Sequence, residues 1–145
     1  AAVTTAPNSV TTIGASLRGT VNAYNYSTTV TFEYGMTLAY GSTKNADQSP
    51  VTGNTSTTVS AYITGLTPGT TYHFRVCAVS PQGTSYGDDQ VFVTVPTTIE
   101  DVEGNSYNTI TVGEQAWLKE NLRTKHYRNG EEIATKAIHQ SISSE

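Results

Sequence analysis

Three histidines, an adjacent pair of aspartates and a single cysteine have the widest chemical range in this chain. His73 falls where Tyr72, Phe74, Val76 and Ala78 alternate. A strand there turns it outward beside Arg75, which predicts a surface side chain and not a general base. His126 and His139 lie thirteen residues apart without HExxH or a related metal-ligand spacing. Ser, His and Asp are all present, as in most chains of this length, but no GxSxG nucleophile motif occurs. Asp88-Asp89 offers at best half of a calcium site. Strand neighbours point to opposite faces, so the pair reads as a solvated loop-to-strand junction. Cys77 alone cannot close an intrachain disulfide or build a zinc site. It is out of phase with Phe74, Val76 and Ala78 and reads as a shielded thiol on the outer face, with no adjacent His or Lys to lower its pKa. The residues predict no catalytic, cofactor-binding or metal site, and no enzyme.

Tyrosine is the other chemical resource. Tyr24, Tyr26, Tyr40, Tyr62 and Tyr86 are candidates for exposure, because an amphipathic ring can stack on a sugar or anchor a protein interface. Of these, Tyr24 and Tyr26, in or near one loop, and Tyr86, at the start of the last strand of the first segment, are the candidate ligand contacts. Thr- and Tyr-rich sheets also carry exposed Tyr routinely, and that plain reading is preferred. Asn25-Tyr26-Ser27 and Asn54-Thr55-Ser56 are sequons short enough to recur by chance.

The elements that hold these residues follow from composition. The chain has 145 residues, 14% charged and 36% hydrophobic, with a formal net charge of −4. That balance excludes a nucleic-acid binder, which needs a cationic face. No stretch reaches the roughly 18 apolar residues of a membrane span, and no signal peptide opens the segment. It lacks an initiator Met and reads as a slice of something longer. Of 26 Thr, 22 lie in residues 1–98, whereas residues 100–145 hold 13 of the 20 charged side chains. The shift falls at Val95-Pro96-Thr97-Thr98, which predicts a first domain over 1–95, a linker over 96–99 and a second unit over 100–145.

In the first unit Ile13, Ala15, Leu17, Gly19, Val21 and Ala23 alternate with mostly polar residues, the period of a strand with one buried face. Val30-Phe32-Tyr34, Val59-Ala61-Ile63 and Tyr72-Phe74-Val76-Ala78 repeat it. Thr67-Pro68-Gly69-Thr70 supplies a turn after Leu66, and Gln90–Thr94 supplies a last strand of undecided register. The fold class expected is an all-β antiparallel sandwich of about seven strands.

Leu66 to Ala78 resembles the E–F corner and strand F of a fibronectin type III domain, and the resemblance covers about Val3–Thr94. It implies that Tyr72 is a tyrosine-corner residue, with its ring near Leu66 and its hydroxyl on backbone just upstream. The family's strand-B Trp is missing, and Phe32 and Tyr34 are expected to fill that volume. The family's Arg-Gly-Asp tripeptide is absent from Ser80–Tyr86. Asp101-Val102-Glu103-Gly104-Asn105-Ser106-Tyr107, continuing through Val112-Gly113-Glu114-Gln115-Ala116-Trp117-Leu118 to Asn121-Leu122 and Ile133, is similar to the opening of the Fibrobacter succinogenes major paralogous domain. That resemblance implies a bacterial surface or secreted protein, frequently a lipoprotein, and a truncated second domain.

Within the second unit, Glu103-Gly104-Asn105 reads as a hairpin turn, and Tyr107, Thr109 or Ile110, and Val112 as a strand. Gly113-Glu114 and Asn129-Gly130 read as turns. Trp117, with Leu118 and Leu122, lies on a short helix or in a strand and is expected to be structural. About 45 residues are near the limit for folding alone. The unit is expected to be a partly ordered hairpin at about Val102–Trp117, held by the sandwich or a partner copy, with a mobile tail after Ile133 that includes Ser141 to Ser144. Two functions compete. One is a non-catalytic extracellular spacer and interaction module, whose partners are the other domains of the parent chain and surface protein. The other is an ancillary glycan-binding module for polysaccharide use.

Overall fold

A computed structural model describes residues 1–101, 103–112 and 115–123, without the side chains of 111–116. Val102, Gly113-Glu114, His126, Asn129-Gly130, Ile133, His139 and the Ser141–Ser144 stretch lie outside the described residues. Eleven strands follow in order: β1 Ala2–Asn8, β2 Gly14–Asn22, β3 Thr29–Gly35, β4 Ser42–Asn45, β5 Ser56–Thr64, β6 Thr71–Ser80, β7 Gly83–Tyr86, β8 Gln90–Val93, β9 Thr98–Glu100, β10 Ser106–Val112 and β11 Gln115–Leu118. All pairings are antiparallel. The all-β sandwich expected from the alternation is present. One sheet runs β1-β2-β5, and the other runs β4-β3-β6-β7 with β8 also on β6.

Period-two alternation builds the core from both sheets. Ala15, Leu17, Val21, Val59, Ala61 and Ile63 from one sheet meet Val30, Phe32, Phe74, Val76 and Ala78 from the other, all at most 4% exposed. Phe74 sits between Phe32, at 6.4 Å, and Phe92, at 5.9 Å edge-on. Burial of this kind is worth about 25 cal/mol per Å² and is the main force holding the layers together. Two expectations need correction. Ile13 is exposed and precedes β2, because Thr11 and Gly14 close a turn there that carries Ile13 out of the alternation. Tyr34 is only partly buried at the rim of the core, leaving Phe32 as the large ring from β3 inside it.

The corner between β5 and β6 is held twice. Thr67 N–H donates to the Tyr72 hydroxyl at 3.0 Å, and the Tyr72 ring stacks on Phe92 at 5.7 Å. Thr94 is fully buried, donates its hydroxyl to Thr67 O at 2.6 Å and accepts from Thr70 N–H at 2.9 Å. Leu66 is buried beneath the turn, and Pro68 and Gly69 shape it, Gly69 at φ 61°. Sequence reading missed Thr94, because a Thr in a Thr-rich strand carries no mark of a buried hydroxyl.

β7 and β8 are one return strand along β6 broken in the middle. Cys77 pairs with Tyr86 and Phe74 with Gln90, so three residues on the return strand face two on β6. The extra residue is a β-bulge. Val76 O accepts from Gly87 N–H at 2.9 Å, but Val76 N–H bonds to Thr4 Oγ1 at 3.1 Å, from the other sheet. Gly87 must lack a side chain, since a Cβ there would lie 2.4 Å from the Thr4 nitrogen.

β9, β10 and β11 form a separate three-stranded sheet. Its first turn is organised by Asp101, whose carboxylate accepts from the Glu103 and Asn105 N–H groups, each at 2.9 Å, from the Asn105 amide at 2.8 Å and from the Tyr107 hydroxyl at 2.8 Å. Desolvation alone would raise its pKa, but these donors together bring it down to about 2. Tyr107 is buried, with Arg123 over its ring at 5.4 Å. Trp117 lies in β11 opposite Ile110, the strand of the two placements its sequence left open, and is 55% exposed. It is a cross-strand partner on an open face.

Removing the corner hydroxyls should separate their weights. Tyr72→Phe leaves one part-buried donor unpaired and is expected to lower unfolding stability by about 0.5–1.5 kcal/mol. Thr94→Val orphans both Thr67 O and Thr70 N–H and is expected to cost more, about 2–3 kcal/mol. Urea midpoints measured side by side check the order; equal midpoints for both variants and the parent would contradict the double latch.

Candidate functional site

The outer face of the β4-β3-β6-β7/β8 sheet gathers the charged and aromatic side chains of the sandwich. Register places Glu33 opposite Arg75, Thr31 opposite Cys77 and Cys77 opposite Tyr86. Arg75 Nε donates to Glu33 Oε2 at 2.7 Å. The guanidinium lies between two rings, 4.0 Å from the Tyr86 centroid and 4.7 Å from that of Tyr40. A cation over aromatic faces is attracted by their quadrupoles. The Glu33 hydrogen bond, first among the causes, holds Arg75 above its ordinary pKa.

Tyr40 reaches this face through backbone geometry. Gly35 ends β3, and a Cβ there would fall 1.5 Å from Tyr40 O, so only glycine lets the following loop fold back this tightly. Tyr40 itself sits at φ 56°. Its hydroxyl donates to Asp89 Oδ1 at 3.1 Å, and the other carboxylate oxygen lies 2.8 Å from His73 Nδ1. An ionised carboxylate only accepts, so the proton in this bond is carried by Nδ1. Burial, then the bond to Asp89, raises the Tyr40 pKa. Asp88 is exposed whereas Asp89 turns onto the face. The bulge therefore separates the aspartate pair, and Asp89 serves as a hydrogen-bond hub.

This arrangement is an ordered, hydrogen-bonded face. Among the described residues the His73 side chain is hydrogen-bonded to Asp89, and no hydroxyl or thiol bonds to it. Among the described residues no group of three His, Cys, Asp or Glu side chains could hold a metal ion. Cys77 lies on the outer face, as its phase implies, yet is only 6% exposed, and burial, then the Glu33 charge, pushes its thiol pKa up. Beside the stack, Glu33, Leu38, Tyr40, Ser42, Thr43 and Arg75 line an open cavity of about 280 Å³.

Of the candidate contact tyrosines, Tyr86 belongs to this face and is 49% exposed; it ends β7 and does not begin the last strand, because the bulge breaks the strand after it. Tyr24 and Tyr26 lie elsewhere, in the loop between β2 and β3, 54% and 42% exposed. The structure thus does not bring the three together. Sequence reading missed the Tyr40–Asp89–His73 chain and the Arg75 stack. Only the outward phase of His73 and Arg75 hinted at them.

Comparison with known proteins adds the following. The family described as "Fibronectin type III domain" matches residues 16–94, more than half of the chain. The chain is similar to a shorter form of the sensor domain of the anti-sigma factor RsgI4 of Pseudobacteroides cellulosolvens. The two are 22% identical with a TM-score of 0.50, over 66% of this chain and 94% of that one. A longer form of the same sensor domain is 21% identical, TM-score 0.48, over 70% and 95%. Identity this low shows shared fold alone. No curated protein matches.

The Asp89 hub has a titration signature. A nearby carboxylate disfavours the phenolate, so Asp89→Asn is expected to lower the Tyr40 pKa toward its ordinary 10.0, with the part due to burial remaining. Carbon-13 NMR of the tyrosine Cζ resonances follows it; a titration identical to that of the parent protein would contradict the bond.

Proposed function

The chain belongs to the fibronectin type III family, and from that premise we propose that it is a non-catalytic interaction and spacer module of a bacterial surface or secreted protein. The observation that carries this reading is the Tyr40–Arg75–Tyr86 stack. Tyr and Arg are the residue types that dominate binding energy at protein interfaces. Here they are already held in place by Glu33 and Asp89, so a partner meets a surface whose side-chain entropy is spent on folding. Exposed Leu38, Val79 and Val91 supply apolar area around the stack. The partner in this reading is a protein.

Extracellular placement rests on the family and on the resemblance of residues 101–133 to the Fibrobacter succinogenes major paralogous domain, read here as the truncated opening of a second domain; its sheet begins with β9 at Thr98, so the expected linker at 96–99 shortens to Pro96-Thr97. The Asp101 turn gives part of that string a structural role. Asp101, Asn105 and Tyr107 are bonded to one another, and Gly104 sits at φ 78°, so each has a structural reason to stand at its place in that string. Among the described residues no helix is long and apolar enough to cross a membrane.

Photo-cross-linking of the parent protein on intact cells tests the reading. Benzoylphenylalanine in place of Tyr86 is expected to give a discrete adduct that Arg75→Ala abolishes, while the same probe in place of Tyr62, on the other sheet, gives none. Equal adducts at both positions, none at either, or turnover in a broad hydrolase panel that a point mutation removes would overturn it.

A further inference from the structure

At the opposite corner of the same sheet, the β2–β3 loop and the β6–β7 turn enclose a cleft of about 90 Å³ lined by Tyr24, Tyr26, Asn22, Ser80, Gln82 and Ser85 among others. We propose that this cleft binds an extended neutral polysaccharide, with Tyr24 and Tyr26 as the stacking platform. The site is separate from the Arg75 face, and the proposal does not depend on that face binding a protein.

Three observations carry it. The first is chemistry. Two half-exposed phenol rings stand beside amides and hydroxyls, and no Asp, Glu, Lys, Arg or His side chain lines the cleft. Aromatic faces take the C–H faces of sugar rings, while amides and hydroxyls take their hydroxyl groups. Ala1 also lines the cleft, but its amino group is engaged by Asn22 O at 3.0 Å, and a phosphate or an acidic polymer would find no side-chain cation here.

The second is preorganisation. Tyr24 and Asn25 are consecutive non-glycine residues at positive φ, 49° and 66°. An aromatic residue in that region is strained, and the loop is held there by named bonds. Tyr24 N–H donates to Asn22 Oδ1 at 2.9 Å, Asn25 N–H to Gly53 O at 2.8 Å and Tyr26 N–H to Ala23 O at 3.0 Å. The Asn22 amide in turn donates to Asn54 O at 3.3 Å. Both rings are thus carried on a fixed backbone, which reduces the ordering cost of binding.

The third is size. Pockets that enclose a small ligand hold about 300–1,000 Å³, several times this cleft. A shallow open platform suits a chain laid across it, with contacts spread over successive sugar units. Affinity should therefore rise with chain length and be negligible for monosaccharides.

The test is affinity electrophoresis of the intact chain in gels containing xyloglucan, glucomannan or mixed-linkage β-glucan, followed by calorimetry with oligosaccharides of increasing length. The expected result is retardation by at least one of these polymers, insensitive to 0.5 M salt. Tyr26→Ala and Tyr24→Asn should weaken it at least tenfold, and Tyr62→Ala, on the other sheet, should leave it unchanged. Asn tolerates positive φ, so Tyr24→Asn removes the ring without refolding the loop, and an unchanged circular dichroism spectrum verifies this. Retardation by none of the three polymers overturns the proposal. So does retardation that survives both loop variants, disappears in salt, or is matched by monosaccharide binding.

Discussion

One hydrogen bond between the two sheets sets the geometry of the outer face that carries the Arg75 stack. The return strand along β6 carries a residue too many, and the bulge this creates would leave Val76 N–H buried without a partner. Thr4, on the edge strand of the opposite sheet, fills that place with its hydroxyl. An unpaired buried amide costs about 1–3 kcal/mol, so the bulge is tolerable only because β1 lies where it does. Gly87 allows the approach. With the bulge fixed, Asp89 turns onto the outer face instead of continuing the alternation, and it takes hydrogen bonds from Tyr40 and His73.

The division of labour between the two faces of this sheet follows from one alternation. Inward residues of β3 and β6 are apolar and form the core; outward ones are Thr31, Glu33, His73, Arg75 and Cys77. Such a face would ordinarily be a loose array of solvated side chains, with exposed ion pairs worth little. Here the Glu33 and Arg75 side chains are only 24% and 30% exposed and are clamped by two rings, one delivered by the β3–β4 loop and one by β7. The stability of the fold rests on the core, and the order of the surface rests on the loop and the bulge.

The sandwich was legible because it is written in local pattern. Leu17, Val21, Val59, Ile63, Phe74 and Val76 alternate in sequence and are buried in space. The misread residues depend on contacts distant along the chain. Ile13 looked like the start of a strand until its turn carried it out, and the short pattern around Trp117 left helix and strand open until cross-strand pairing with Ile110 decided it. Tyr86 was misread, and Asp88-Asp89 was placed at its loop-to-strand junction without the turn of Asp89 onto the face, because no local signal announces a bulge stabilised by a threonine 72 residues from Val76. Tyr24 and Tyr26 were legible as loop residues, but the left-handed backbone that presents them was not.

Amide hydrogen exchange of Val76 in Thr4→Val tests this account most directly, because the substitution removes one hydroxyl and keeps a β-branched residue in β1. The account predicts that Val76 loses at least tenfold of its protection while Phe74 and Ala78 keep theirs, and that the Tyr40 ring resonances shift as Asp89 relaxes. Undiminished protection at Val76, with Tyr40 unmoved, would mean that the bulge stands without Thr4 and that the face is organised by something else.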